Sequence, residues 1–277
     1  MHFSRITSPA DPRLDDYRNV PDPELIRRRG IFVAEGRLVV RRLLTESALP
    51  ARSVMVTEAA HASMADVLAT RPDLPVYVVS SSVMDSIAGF NIHRGCLAIG
   101  ERPREARWEE VFRLKPEATL QPDATTIVVL ERVGNADNVG GVFRNAAAFG
   151  AGAVLLDRAS ADPLYRKAIR TSMGAALLVP FARAEPWPDV LHQLRERGFA
   201  TVALTPAPSA ATLQATVAAA GGRPAALVLG HEGEGLSQAA LDACEHHARI
   251  PIASRVDSLN VAAAAAIALY AFAGPRP

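Results

Sequence analysis

Apolar positions along the chain fall into short, β-branched runs separated by amphipathic stretches, and this alternation predicts an α/β protein. In the second half, Ile127–Leu130, Ala153–Leu156, Leu178–Phe181, Phe199–Leu204, Ala226–Leu229 and Ile250–Ile252 read as buried parallel strands. Helices are expected over Leu164–Ala175, over Pro188–Arg197 and from about Leu259 onward. One further helix follows the first of these strands, with Asn138 at the N-cap position and Gly150 closing it. Steps of 100° per residue put its Val139, Val142, Phe143, Ala146 and Phe149 on one arc, the core face. The last helix, VAAAAAIALYAF, is apolar all round and is expected to be buried on every side.

The first hundred residues alternate in the same way. Helices are predicted over Asp11–Asn19, Pro23–Arg29, His61–Ala69 and Ser81–Ile87, and strands in IFVAEG and over Val54–Val56, Val76–Val79 and Cys96–Ile99. Gly36–Ser47 is amphipathic, with Leu38, Val39, Leu43 and Leu44 inward. Residues 101–123 break the pattern: they are charged, hold three prolines and offer one short helical candidate around Trp108–Phe112. The expected organisation is a small α/β domain over 1–100, a linker over 101–123 and a second α/β domain over 124–277.

Composition adds little to this. A chain of 277 residues with 49% hydrophobic and 21% charged residues is ordinary globular material, long enough for two domains, and its net charge of +1 neither demands nor excludes a polyanionic partner. Nearly all the positive charge is arginine, Lys115 and Lys167 being the only lysines; this reads as compositional bias, although arginine's planar fork also suits phosphate. The cluster Arg27, Arg28, Arg29, Arg37, Arg41 and Arg42, with Arg94 further on, reads as a solvated face. Cys96 and Cys244 lie far apart in apolar surroundings, which suggests neither a disulfide framework nor a metal site and fits a reducing cytoplasm. The first residues lack a signal-type apolar region, and the longest apolar run, Val261–Gly274, is too short to span a bilayer, so a soluble protein is expected.

Chemistry concentrates in three loops at strand ends, where open parallel sheets bind ligands. In the first, Arg144 is flanked on its helix by Gly140, Gly141, Ala147 and Ala148, which clears the space around it. Each helical glycine costs up to about 1 kcal/mol relative to alanine, so two in succession need a compensating gain. Tight packing of another helix is one such gain and close approach of a ligand is another; the lone arginine favours the ligand. In the second loop, GHEGEGLS, glycines 230, 233 and 235 alternate with Glu232 and Glu234, so that main-chain groups can touch a planar ligand. In the third, Ser258 or Asp257 caps the last helix and Asn260 falls in its first turn.

Together these motifs resemble the SpoU/TrmH family of RNA ribose 2′-O-methyltransferases, of the SPOUT superfamily. The resemblance rests on Asn138-x-Gly140-x-x-x-Arg144-x-Ala146, on LVLGHEGEGLS, on IPIASRVDSLNVAAAAAI and on RKAIRTSMGA with Arg170, Ser172 and Gly174. FVAEGRLVVRRLL and NIHRGCLAIG look like the two ends of the ribosomal-protein-like RNA-binding domain that many members carry in front. The resemblance implies a deep trefoil knot in the second domain, a homodimer formed through that domain, and S-adenosylmethionine held by main chain around Leu229, Gly230, Gly233, Ile250 and Leu259, with Thr205 nearby. It also implies Arg144 as the catalytic arginine, oriented by Asn138 and Glu232, with Ser258 and Asn260 on substrate or cofactor edges and no metal. The RNA partner is ribosomal or transfer RNA, the small front domain favouring ribosomal. Two other readings compete. A dinucleotide-dependent oxidoreductase has only the sheet pattern and GNADNVGG, which lacks the G-x-G-x-x-G order. A non-catalytic knotted RNA-binding protein is opposed by the intact set Asn138, Arg144, Glu232, Ser258 and Asn260.

Overall fold

The computed structural model describes residues 3–18, 21–88, 95–105, 107–111, 126–253 and 255–273. By internal contacts it divides into two compact units, Met1–Arg104 with Leu164–Leu178, and Glu105–Pro163 with Val179–Pro277. Arg94 and most of NIHRG lie outside the described residues. No helix among those described is long and apolar enough to cross a membrane.

The first unit holds a mixed five-stranded sheet of β1 (Phe3–Ile6), β2 (Ile31–Glu35), β3 (Ala51–Thr57), β4 (Val76–Val79) and β5 (Cys96–Glu101) in the order β1-β4-β3-β5-β2. Leu14, Val33, Met55, Val79 and Ile99 are part of its core. The helix Arg37–Thr45 buries Val39, Val40, Leu43 and Leu44. Leu38, expected inward, is exposed. The four buried positions span a 140° arc, and Leu38 falls almost opposite its centre. Several of the clustered arginines are engaged: Arg41 pairs with Asp66 at 2.6 Å, Arg29 reaches Asp16 at 3.5 Å, and Arg42 Nη1 donates to Met173 O at 2.7 Å. Arg27 and Arg28 are exposed.

The segment 164–178, which the alternation assigns to the second domain, packs within this first unit. Its helix is confined to Arg166–Thr171, where Arg166 binds Asp22 with its backbone N–H and its Nε, both at 2.9 Å. Ser47 Oγ donates to Leu177 O at 2.6 Å. Gly174 has φ +84°, and a Cβ there would stand 3.3 Å from Arg42 and 3.6 Å from Val39.

The second unit is built on seven parallel strands: β6 (Thr126–Leu130), β7 (Val154–Leu156), β8 (Phe181–Arg183), β9 (Ala200–Leu204), β10 (Ala211–Thr212), β11 (Ala225–Leu229) and β12 (His246–Arg249), in the order β10-β12-β9-β11-β6-β7-β8. From β6 the chain fills one side of the sheet, then crosses to the other, so β11 and β6 adjoin at the reversal. Leu229 pairs with Leu130, which leaves the loops after these strands side by side. Crevices of this kind at the carboxyl ends of a parallel sheet hold ligands.

Several boundaries differ from expectation for identifiable reasons. β8 begins at Phe181 because Ala175–Leu177 form a 3-10 turn and the carbonyl of Pro180 accepts from Val154. Ile250–Ile252 is no strand: β12 ends at Arg249, just ahead of Pro251, which has no N–H for a ladder. Trp108 and Val111, expected in the linker, are buried in the core of the second unit; residues 112–125 lie outside those described. The last helix, Val261–Phe272, buries Val261, Ala265, Ala268 and Leu269 but leaves Ile267 40% and Tyr270 72% exposed, so it is not buried on every side in a single chain.

Both cysteines are free and buried, and burial pushes each thiol up to about 12. Neither is expected to react with a disulfide reagent at mildly alkaline pH until the protein is unfolded; a rapid stoichiometric reaction of the native chain, followed by thionitrobenzoate release, would contradict this packing.

Candidate active site

The site is assembled where the β6 and β11 loops leave the sheet. Glu131 extends the ladder by donating its N–H to Leu229 O at 2.9 Å, and its side chain is only 3% exposed. Burial of a carboxylate is tolerable only when donors replace the lost water, and three do so. Trp187 Nε1 lies at 2.9 Å, Ser237 Oγ at 2.6 Å and Ser237 N at 2.8 Å. Ser237 also caps the helix Gln238–Ala243, so one carboxylate fixes the far end of the Gly230–Ser237 loop.

Inside that loop, His231 and Gly235 exchange backbone hydrogen bonds at 2.9 and 3.1 Å, and His231 Nδ1 accepts from Gly233 N and Glu234 N. Arg132, at φ +56°, braces it by pairing with Glu234 at 2.5 Å and donating to Gly235 O at 3.3 Å. Gly230 is required by the loop itself: a Cβ there would fall 2.4 Å from the Gly235 carbonyl. The glycine thus permits a close backbone crossing.

The motif helix runs from Ala136 to Ala148 and is capped by Asn135, whose side chain accepts from Asp137 N. Asn138, expected at the cap, is in the first turn and buried. Its Nδ2 donates to Glu232 Oε1, and its Oδ1 accepts from Asn260 Nδ2 at 2.9 Å; the same Asn260 amide lies 3.2 Å from Glu232. Three residues from three separate segments therefore close one network. Asn260, and neither Ser258 nor Asp257, is the N-cap of the last helix, its Oδ1 accepting from Ala262 N and Ala263 N. The two helices meet through Gly141, where a Cβ would stand 2.7 Å from that of Ala262, and through Asn145 Nδ2, which donates to Ala262 O at 2.7 Å. Close helix packing thus accounts for Gly141.

Arg144 is exposed and makes no ion pair with any described residue. Asn138 and Glu232, expected to orient it, bond to each other and to Asn260.

Beside this network lies a cavity of about 540 Å³ at the carboxyl ends of β9, β11 and β12. Thr205, Leu229, Gly230, Gly233, Ile250 and Leu259 all line it, as do Glu232 and Ser258; Arg144, Asn138 and Asn260 do not. Its remaining wall is largely apolar, including Leu204, Leu236 and Leu241. Glu232 joins the cavity to the Asn138–Asn260 pair. Thr205 is also tied into the fold, its N–H donating to Ala248 O and its hydroxyl accepting from Ala207 N. Among the described residues no group of three or more histidine, cysteine or acidic side chains is placed to hold a metal. Glu131, Arg132, Trp187 and His231 were not foreseen from the sequence; the one available sign was an acidic residue at the carboxyl end of an apolar strand.

An α/β unit with a cavity at the carboxyl ends of one half of a parallel sheet, bordered by an amide–carboxylate network, has the layout in which such sheets bind small-molecule ligands. The chain belongs to the SpoU rRNA Methylase family, whose model matches residues 125–270. A Mycobacterium tuberculosis protein described as an uncharacterized tRNA/rRNA methyltransferase is 41% identical over 269 residues, covering 96% of this chain and 90% of that protein. The crystal structure of an AdoMet-bound rRNA methyltransferase from Sinorhizobium meliloti superimposes with a TM-score of 0.78 at 25% identity, covering 98% of this chain and 97% of its own. The crystal structure of an RNA 2′-O ribose methyltransferase gives a TM-score of 0.73 at 29% identity over 97% and 98% of the two chains.

Two glycines of the loop should behave differently. Gly230→Ala is expected to cost about 1–3 kcal/mol by overpacking against backbone. Gly233→Ala, whose Cβ would meet only the His231 ring at 3.5 Å, should be close to neutral. Equal thermal midpoints for the two variants would show that the 230–235 crossing is not what holds the loop.

Proposed function

We propose that this chain transfers a methyl group from S-adenosylmethionine to a ribose 2′-hydroxyl of RNA, ribosomal rather than transfer RNA. The observation that carries the proposal is the cavity beside the closed Asn138–Glu232–Asn260 network, with an exposed arginine, unpaired among the described residues, on the helix that supplies Asn138. The residues present fit the cofactor: the volume lies in the usual range for small-molecule sites, roughly 300–1,000 Å³. Apolar side chains offer walls for a planar base, and the loop main chain offers polar edges. Thr205, Leu229, Gly230, Gly233, Ile250 and Leu259 would hold it, and it would supply an electrophilic methyl on a sulfonium.

The chain's own part is positioning and charge. Asn138 and Asn260 fix the Glu232 carboxylate at the rim of the cavity by donating to it, so it meets substrate preorganised. Arg144 acts by charge and shape: its fork is suited to the phosphate beside the target ribose and to the charge that grows on the 2′-oxygen. Ser258, on the cavity wall, contributes a hydroxyl to substrate or cofactor edges. The proton of the 2′-hydroxyl leaves towards the adjacent phosphate, which Arg144 holds in place. The first unit, with exposed Arg27 and Arg28, is assigned to RNA binding, and the C-terminal segment to a trefoil knot.

Assembly follows from the last helix. Ile267 and Tyr270 stand out of its exposed side, the Tyr270 ring meets Phe149 with centroids 6.1 Å apart, and Ala147 and Ala148 are exposed on the motif helix. A contiguous apolar strip of this kind is suited to a second copy of the chain, and the dimer would act on RNA in the cytoplasm.

Replacing Arg144 with lysine or alanine should leave S-adenosylhomocysteine affinity nearly unchanged and lower single-turnover methyl transfer at least ~10²-fold, as expected for loss of one preorganised electrostatic contact. RNA affinity should fall less. A near-wild-type rate for the alanine variant at saturating RNA and cofactor would reduce Arg144 to a surface charge. For assembly, Tyr270→Asp is expected to convert the dimer to a monomer by light scattering; a wild-type chain already monomeric at micromolar concentration would remove the dimer.

A further inference from the structure

The half of the sheet that the cofactor cavity does not use carries a second cavity, of about 780 Å³, over the carboxyl ends of β6, β7 and β8. Its walls come from Glu131 and Arg132 after β6, Asp157–Ala159 after β7 and Ala184–Trp187 after β8, with Arg107 at one side. We infer that this cavity binds a nucleoside phosphate, its base on the Trp187 indole and its phosphate on the guanidinium groups of Arg107 and Arg158.

Trp187 is held as a platform. Its Nε1 donates to the buried Glu131, which fixes the plane of the ring, and it sits between Pro186 and Pro188. The indole packs on the core of the second unit while lining the cavity. An aromatic face beside guanidinium groups is the combination by which proteins take unpaired nucleotides, through stacking and phosphate pairing.

The charges around the cavity are unequally committed. Glu131 receives Trp187 and Ser237. The Asp157 carboxylate accepts from Ser160 N and Oγ at 2.8 and 2.7 Å. These two acids are turned to internal donors. The arginine side chains are nearer to solvent: Arg107 is 77% exposed and pairs with Glu109, and Arg158 is 84% exposed and pairs with Glu185. Exposed pairs of this kind are weak, so a phosphate can displace or share them. Arg132, which also lines the cavity, has its terminal nitrogens on Glu234 and the Gly235 carbonyl, and its Nε is buried with no acceptor among the described residues.

Two sources of the ligand share this chemistry. If the proposed RNA substrate is correct, the occupant is a nucleotide neighbouring the modified one, since residues 131–135 run from this cavity directly into the helix bearing Asn138 and Arg144. Otherwise it is a free mononucleotide. Arg132 and Glu131 both also hold the Gly230–Ser237 loop, so either occupant would sit against the same bracing that shapes the cofactor cavity.

The test is titration of the full chain with 5′-nucleoside monophosphates, the matching nucleosides, inorganic phosphate and a mixed-sequence ribopentamer, with and without saturating S-adenosylhomocysteine, followed by calorimetry and tryptophan emission. The monophosphates should bind at millimolar or lower concentration, quench tryptophan emission, and bind at least ~tenfold more tightly than nucleoside or phosphate alone, as charge-assisted pairing added to stacking requires. S-adenosylhomocysteine should not displace them. Arg158→Glu, at a side chain 84% exposed, should weaken monophosphate binding at least ~tenfold by placing a like charge at the phosphate, with unchanged S-adenosylhomocysteine affinity showing that the variant is folded. Trp187→Phe should keep binding with reduced quenching. A pentamer tighter than the monophosphates identifies RNA as the source, and one no tighter identifies a free nucleotide. Displacement by S-adenosylhomocysteine, phosphate binding as tightly as nucleotide, or indifference to Arg158→Glu would each overturn the site. Failure of S-adenosylhomocysteine to bind at all would overturn the proposed methyl transfer while leaving the nucleotide titration readable.

Discussion

The buried carboxylate of Glu131 is the contact on which the rest of the site depends. A charged group taken out of water has to recover several kcal/mol through donated hydrogen bonds, and its three donors come from Trp187 and Ser237, which belong to different loops. Meeting that requirement fixes the Trp187 ring after β8 and the helix cap after β11 at once. The Gly230–Ser237 loop is therefore anchored at both ends, by the β11 ladder at Gly230 and by Glu131 at Ser237. A loop of three glycines would otherwise carry large conformational entropy and hold no defined surface. Between the anchors, the Gly230–Gly235 crossing and the Arg132–Glu234 pair take up the remaining freedom.

A second constraint, the approach of the motif helix to the last helix, places the polar residues of the site. With only hydrogen at Gly141, the backbones come close enough for Asn145 to reach the carbonyl of Ala262. At that separation Asn138 and Asn260 meet, and their amides converge on Glu232. Each amide uses both ends: Asn260 caps its helix with Oδ1 while Nδ2 serves the network, and Asn138 accepts from one partner and donates to the other. Alanine at position 141 would force the helices apart by several tenths of an ångström or more and separate these amides, without itself touching any ligand.

Much of this fold was legible in the sequence because short apolar runs such as Ile127–Leu130 and Ala226–Leu229, set between amphipathic stretches, have few other uses. Ile250–Ile252 was misread because apolar residues line a ligand cavity as readily as a core, and period alone does not separate the two. The caps were misplaced because Asn135 and Asn138 are both competent and stand three apart, as do Asp257 and Asn260; the choice is made by Glu232 and the facing helix, which lie far along the chain. Glu131 was invisible for the same reason, its partners being 56 and 106 residues away. Arg144 and the GHEGEG loop stand out in the sequence by their chemistry, whereas Glu131 and Trp187, which act by holding others, do not.

The last helix shows how far hydropathy can mislead about burial. Its uniform apolar sequence carries almost no information on rotation about its axis, yet Val261, Ala265, Ala268 and Leu269 face inward while Ile267 and Tyr270 face out. Rotation is set elsewhere, by the Asn260 cap and by the contact of Ala262 with Gly141. A slip of one residue would turn the helix by about 100°, in one direction bringing Val261 against Gly141, and would move the capping amide away from Asn138. The polar network and the outward apolar strip are thus two consequences of one helix register, and whatever fixes that register fixes both.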